Sequence, residues 1–179
     1  MATFTLPEGL APEVYPLAWL VGTWRGDGVV VYPTIPETRV TQEVVVDHDG
    51  GPYLHWTATT WIPAVEDGAD RRVWATESGY WRVPPDRPAD LPADRFPVEL
   101  LLTDPAGHLT LYAGVTGNGR IDLASDLIAR TPDAAEVGAA TRLLGLVHGE
   151  LMWTWDIAAF GEPLQSYASA RLRRVEEEA

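Results

Sequence analysis

Short β-rich segments, each ended by residues typical of tight turns, follow one another along almost the whole chain. Asp49-Gly50 and Asn118-Gly119 are strong hairpin signals, because both pairs tolerate the positive φ angles of a two-residue turn. Helical periodicity is confined to residues 11–20, where we expect one short helical turn. The ten segments predicted as strands are residues 23–32, 37–48, 52–61, 71–83, 96–103, 108–116, 119–129, 135–147, 150–159 and 163–174.

Ten consecutive strands joined by short loops predict an all-β fold, an antiparallel up-and-down β-barrel. Closure removes the exposed edges that an open sheet would present. A barrel of about ten strands has an interior wider than its own side chains fill, so it can hold one small ligand. Residues 1–179 are predicted to form a single domain with its core at about 17–174, and Pro84–Pro97 is expected to be an exposed loop within it.

Charge and composition exclude several classes of function. The net charge is −13, which repels nucleic-acid backbones and anionic lipid surfaces. The chain has no cysteine, so it holds no disulfide, zinc–thiolate site or cysteine nucleophile. Residues 1–20 lack the pattern of a secretion signal, and no apolar run reaches the roughly 18 residues of a membrane helix. We therefore predict a cytoplasmic protein with a small-molecule partner and no nucleic-acid or membrane partner.

The first strand opens with a glycine-rich motif, Gly22-x-Trp24-x-Gly26-x-Gly28. Glycines allow the close backbone approach and sharp bending that a closed barrel requires. The indole of Trp24 is large enough to plug one end of the barrel. These four residues are therefore predicted to shape the wall and one end of the barrel. They do not indicate which ligand or reaction the barrel serves.

The full motif resembles the signature of the nitrobindin family, a group of calycin barrels similar to the fatty-acid-binding proteins. The resemblance extends over about residues 17–174 and includes Tyr32-Pro33-Thr34-Ile35, Glu77-Ser78-Gly79-Tyr80 and Gly161-Glu162-Pro163-Leu164-Gln165. It implies a ten-stranded barrel that carries haem b on one proximal histidine near the start of the last strand. It also implies nitric oxide binding and the isomerisation of peroxynitrite to nitrate.

The chain departs from this pattern at the position of the proximal histidine, which holds Tyr167. A second family histidine is absent from the neighbourhood Trp74–Glu77. The leading hypothesis is therefore a barrel that binds a small ligand and has weak or no affinity for haem, and enzyme activity stays open. In the alternative, Tyr167 is the axial metal ligand of ferric haem b. Tyr167 as a packed wall residue of a barrel without a ligand is the remaining interpretation.

Three further residues are candidates for the pocket. Thr34 stands where the resemblance places a haem-contacting threonine, although its hydroxyl could instead cap its own turn. His55 lies in the middle of a predicted strand, whereas His48, His108 and His148 lie at hairpin ends and are expected to be solvated. His55 is either a cavity residue or a partly buried strand histidine.

Arg171 is predicted to share a strand face with Tyr167 and to bind a carboxylate with it. The alternative is that Arg171 or Arg173 stacks on Trp24. Trp153 and Trp155 share one face of their strand. Turned inward they would narrow the cavity, and turned outward they would form a patch for a homodimer, so an interaction module is a second alternative function.

Overall fold

The computed structural model describes residues 5–64 and 70–175 and contains ten strands after one 3₁₀ helix, Pro12–Leu20. The predicted helical turn is thereby confirmed. The predicted domain, 1–179, includes residues 1–4, 65–69 and 176–179, which lie outside the described ranges. The strands are β1 (Gly22–Tyr32), β2 (Ile35–Asp47), β3 (Leu54–Ile62), β4 (Arg72–Arg82), β5 (Phe96–Thr103), β6 (His108–Gly117), β7 (Arg120–Arg130), β8 (Val137–Val147), β9 (Glu150–Ala159) and β10 (Gln165–Arg174).

Each strand pairs antiparallel with its neighbours in the chain, and β1 also pairs with β10 to close the barrel. The prediction of a ten-stranded up-and-down barrel is confirmed. The strand starts differ from the prediction by two residues at four places: β2 begins two residues earlier, and β3, β8 and β10 begin two residues later. Proline accounts for the late starts of β3 and β10, because Pro52 and Pro163 have no N–H to donate to a strand ladder. Within the described residues, no helix is both long and apolar enough to cross a membrane.

The 3₁₀ helix closes one end of the barrel. Its side chains Val14, Leu17 and Leu20 are fully buried in the core, as is the indole of Trp24. Trp24 Nε1 donates a hydrogen bond of 2.8 Å to the carbonyl oxygen of Leu20, which ties the helix to β1. This end of the barrel is therefore closed by buried apolar side chains.

The arginine that stacks on Trp24 is Arg174, whose guanidinium lies 4.1 Å from the ring centroid. The expectation that Arg171 or Arg173 does so is wrong. The pairing register between β1 and β10 determines which arginine stacks on Trp24, because Arg174 is the β10 residue directly opposite Trp24. Arg174 also donates to the carbonyl oxygens of Trp19 and Val21, so it fixes the end of the helix to the last strand.

The motif glycines lie where β1 approaches β10 closely. A Cβ on Gly26 would overlap the carbonyl oxygen of Arg171, and a Cβ on Gly28 would overlap that of Ser169. Gly22 has a φ of +133°, in the region that side chains disfavour. The closure of the barrel thus depends on the absence of side chains at these positions.

We expect Gly26→Ala to destabilise the protein by about 1–3 kcal/mol, because the new methyl group must push β1 away from β10. Gly138→Ala is the matched control, since a Cβ there has its nearest neighbour at 3.8 Å. The control should change the free energy of unfolding by less than about 0.5 kcal/mol. Urea unfolding of the two variants measures the difference, and equal effects would contradict the close approach.

Candidate functional site

A cavity of about 330 Å³ lies inside the barrel. Its lining includes the β5–β6 turn at Asp104–Ala106 and residues at the β7–β8 and β9–β10 connections, such as Ala135 and Phe160. The mouth therefore lies at the end of the barrel opposite the 3₁₀ helix. Most of the lining is apolar or aromatic, which is typical of small-molecule sites, and the volume is near the lower limit of about 300 Å³ for such sites.

Trp153 and Trp155 both line this cavity. Met152, on the opposite face of β9, is exposed. The prediction that the two indoles lie on the same face of β9 is confirmed. The alternation of side chains along a strand could not show which face points inward, and in the structure both indoles point into the barrel. The homodimer hypothesis required the rings of Trp153 and Trp155 to lie on the outer face of the barrel. Their position in the cavity wall contradicts that requirement.

The cavity floor holds a buried ion pair between β4 and β8. Nη1 and Nη2 of Arg142 donate to the two carboxylate oxygens of Glu77 at 2.8 and 2.7 Å. Trp56 Nε1 donates to Glu77 Oε1 at 2.9 Å. The side chains of Arg142 and Glu77 are 7% and 16% exposed, so water screens the pair weakly.

The pair keeps both groups ionised. Burial by itself would raise the pKa of Glu77, but the charge of Arg142 and the hydrogen bonds from Arg142 and Trp56 outweigh burial and hold that pKa below its usual value. Burial likewise lowers the pKa of Arg142, but the interactions with Glu77 and, to a smaller extent, with Tyr112 outweigh burial, so the net change in this pKa is upward. The floor is thus polar and electrically neutral.

Arg142 is not among the site residues predicted from the sequence, although the sequence of β8 contains a signal for it. Ala140, Arg142 and Leu144 alternate along β8, and all three are buried. An arginine on an otherwise apolar strand face is expected to have a buried acidic partner. From the sequence, Glu77 was noted only as the first residue of the segment Glu77-Ser78-Gly79-Tyr80, which resembles the family, and no ion pair was predicted for it.

Two hydrogen-bond donors in the cavity wall are buried without a partner among the described residues: Arg142 Nε and Trp155 Nε1. The two groups are neighbours, since the guanidinium carbon of Arg142 lies 4.3 Å from the centroid of the Trp155 ring. A buried donor left without an acceptor costs about 1–3 kcal/mol.

Tyr167 also faces the cavity, and its Oη accepts a hydrogen bond of 3.2 Å from Trp74 Nε1. Its ring packs edge-on against Trp155, with centroids 5.0 Å apart. Burial raises the pKa of the Tyr167 phenol. The Trp74 hydrogen bond offsets this in part, and the negative charge of Asp104 adds to the rise. The net pKa lies above the ordinary tyrosine value, so the neutral phenol is favoured.

Arg171 does not share this face, and its predicted pairing with Tyr167 around a carboxylate is wrong. The register between β10 and β9 shifts at Tyr167, between Ser166 and Ala168. Such a bulge breaks the alternation on which the prediction depended. Arg171 is consequently exposed on the outer face, where it forms an ion pair with Glu150.

Thr34 and His55 are likewise outside the cavity lining. Thr34 is exposed in the β1–β2 turn, although its neighbour Ile35 lines the cavity. His55 lies on the outer face of β3, with Nε2 3.3 Å from Ser78 Oγ and Nδ1 3.4 Å from Asp47 Oδ1. The interpretation of His55 as a partly buried strand histidine fits this position, and its cavity role is excluded.

His108 lines the cavity mouth instead, which the sequence analysis did not predict. Its side chain is 12% exposed, so the expectation of a solvated histidine is wrong here. Nδ1 lies 3.3 Å from a carboxylate oxygen of Asp104, and Nε2 lies 2.8 Å from the carbonyl oxygen of Ala135. Both ring nitrogens are therefore occupied by groups of the protein.

Comparison with known proteins places this barrel in a family. The model of the "THAP4-like, heme-binding beta-barrel domain" matches residues 13–174. The chain belongs to this family. A "Ferric nitrobindin-like protein" of Beutenbergia cavernae is 47% identical over 210 residues, covering 97% of this chain and 99% of the relative. The nitrobindin resemblance is thereby confirmed.

Two more distant relatives agree with this assignment. A "Peroxynitrite isomerase" of Clavibacter sepedonicus is 38% identical over 200 residues, covering 96% of this chain and 98% of the relative. The crystal structure of Rv2717c from M. tuberculosis matches with a TM-score of 0.76 at 33% identity, over 93% of this chain and 99% of that chain. The family relationship therefore extends over nearly the full length of the chain.

The residues that line the cavity fit poorly to the haem that the family description implies. Haem iron is held by a histidine, a cysteine thiolate, a methionine or a tyrosinate. The chain has no cysteine, and of the other three types the cavity lining includes only His108, Tyr112 and Tyr167. The pKa of Tyr167 is raised rather than lowered, and Tyr112 lies against the Arg142 guanidinium. The ring nitrogens of His108 already contact Asp104 and Ala135.

We expect Arg142→Met to destabilise the protein by about 3–5 kcal/mol at pH 7, because Glu77 is left buried and charged without a partner. In the wild type the folded-state pKa of Glu77 is depressed, so the stability from the pair is lost as the pH falls below the ordinary carboxyl range. In the variant, burial raises that pKa, and protonation removes the unpaired charge. The difference between the two proteins should therefore shrink at pH 4.5.

Urea unfolding at both pH values measures this effect. The double variant Glu77→Gln/Arg142→Met is the control, since it leaves no unpaired charge and should recover most of the loss. A destabilisation of Arg142→Met that stays constant between pH 7 and pH 4.5 would contradict the role assigned to Glu77.

Proposed function

We propose that this barrel binds one small, largely apolar molecule in its cavity and does so without haem. The observation that carries the proposal is the cavity wall itself, which is mostly apolar and includes the aromatic side chains of Trp74, Trp153 and Trp155. Aromatic rings offer large apolar contact areas with little loss of side-chain entropy.

Haem binding through Tyr167 is the second candidate function. Its support is the family, whose description includes haem, together with the position of Tyr167 in the cavity wall. Against it stands the raised pKa of Tyr167, because tyrosinate is the form that binds ferric iron. A relative named as a peroxynitrite isomerase suggests the same activity for this chain, and the proposal of a barrel without haem implies that the activity is absent here.

Haemin titration separates the two candidates. We expect the visible spectrum of haemin to be the same with the wild type and with Tyr167→Phe, because burial favours the neutral phenol and its oxygen already accepts a hydrogen bond from Trp74. Loss of a Soret shift in Tyr167→Phe would establish Tyr167 as the axial ligand and refute the proposal. Circular dichroism of the variant verifies that the barrel has formed.

Access to the cavity is tested with an uncharged naphthalene derivative followed by calorimetry. Ala106 lines the mouth and is exposed, so Ala106→Phe should narrow the entrance without disturbing the core. We expect this variant to weaken binding at least several-fold. Ala113→Phe is the matched control, because Ala113 is exposed on β6 and does not line the cavity. Equal affinities of the two variants would place the binding site outside the barrel.

A further inference from the structure

Three tight turns of the barrel share one backbone form, and one of them holds an unexpected residue. Asn118-Gly119, His148-Gly149 and Phe160-Gly161 each have positive φ angles at both central residues. The first residues of the three turns have φ angles of +54°, +51° and +55°. Asparagine and histidine are enriched in this left-handed region, whereas a bulky apolar residue there is an outlier. The backbone of Phe160 is therefore more strained than the backbones of the other two turns.

Phe160 also carries a cost in solvation, because 57% of the residue is exposed. Asparagine fits the same kind of turn at a lower cost, and Asn118-Gly119 is an example within this chain. Turn formation therefore does not explain a phenylalanine at this position. Strained residues are concentrated at active sites and ligand clamps, where the surrounding structure holds them in place.

The ring of Phe160 lies at the mouth of the cavity. Phe160 is part of the cavity lining and begins the connection between β9 and β10. Its ring packs edge-on against Tyr32, with centroids 6.2 Å apart. Tyr32 is buried, and its Oη accepts a hydrogen bond of 3.0 Å from Ala159 N and donates one of 3.1 Å to the carbonyl oxygen of Ile157. Phe160 is thus held at the mouth against a fixed partner.

Aromatic rings connect this mouth to the cavity floor. Tyr32 meets Tyr167 at a centroid distance of 6.0 Å, and Tyr167 meets Trp155 at 5.0 Å. The Trp155 ring carries the Arg142 guanidinium at the floor. Trp155, Tyr167 and Phe160 all line the cavity. A ligand that contacts both ends of this series must extend past Tyr167, and aromatic groups of the ligand suit contacts with such rings.

We infer that Phe160 forms the outer wall of the ligand site, and that the cavity selects elongated apolar molecules whose outer end is an aromatic ring packed against Phe160. The inference rests on the proposed function, since it names the ligand class and a further contact residue for the same cavity. A bound ligand covers the exposed ring of Phe160, which accounts for a phenylalanine at a strained and exposed position.

Phe160→Asn separates a ligand contact from a structural role. Asparagine suits the left-handed backbone, so this variant should unfold at the same urea concentration as the wild type or at a higher one. A lower unfolding midpoint would overturn the inference, because the ring would then belong to the packed structure of the barrel. His148→Asn is the matched control, since His148 has nearly the same φ angle and does not line the cavity. It should leave ligand binding unchanged.

Two uncharged probes of different length test the contact by calorimetry: 2-naphthalenemethanol and its 6-phenyl derivative. The longer probe adds one aromatic ring and is expected to reach Phe160, whereas the shorter probe is not. We expect Phe160→Asn to weaken the binding of the longer probe about ten-fold and that of the shorter probe by less than about two-fold. Phe160→Tyr keeps an aromatic ring and should retain the affinity of the wild type for both probes.

The remaining outcomes distinguish this inference from the proposed function. Equal changes in the affinities of the two probes in Phe160→Asn, or no change in either, contradict the inference and leave the proposed function intact. Binding of the shorter probe alone to the wild type does the same, as does a loss in Phe160→Tyr as large as that in Phe160→Asn. If neither probe binds to the wild type, the inference and the proposed function are both wrong.

Discussion

Closure of the barrel between β1 and β10 is the constraint on which the other features depend. Seven residue pairs, from Trp24 opposite Arg174 to Val30 opposite Ala168, join the first strand to the last. This pairing requires Gly26 and Gly28, whose backbones lie against β10 without room for a side chain. Closure removes both sheet edges and creates an interior, so the cavity exists because the chain ends meet.

The two ends of that interior are different. Trp24, the 3₁₀ helix and Arg174 seal one end with apolar packing and hydrogen bonds. The other end keeps a cavity whose floor is the buried pair of Arg142 and Glu77. A buried pair of this kind contributes little net stability, because desolvation offsets most of the attraction. Its consequence is chemical, since it places a polar, electrically neutral group in an otherwise largely apolar cavity wall.

Family membership and the chemistry of the site are therefore separate questions for this chain. The barrel and its closure are common to the family over residues 13–174. The position where the family resemblance implies a proximal histidine holds Tyr167, a partly buried phenol with a raised pKa that accepts a hydrogen bond from the Trp74 indole. Barrels of one fold can hold different ligands, because the wall residues and not the strand order define the site.

The sequence by itself determined the ten strands, the short helix and the family, because turn residues and β-rich alternation are local signals that neighbouring residues carry. It also led to the hypothesis that Tyr167 stands where the family pattern has a histidine, which stays a prediction. The tertiary structure decided which faces point inward. A single bulge at Tyr167 places Arg171 outside, and Trp153, Trp155, His108 and the Arg142–Glu77 pair become cavity residues through contacts between distant strands. The physical reason is that strand alternation fixes which side chains share a face, whereas direction and partners depend on register and closure between strands.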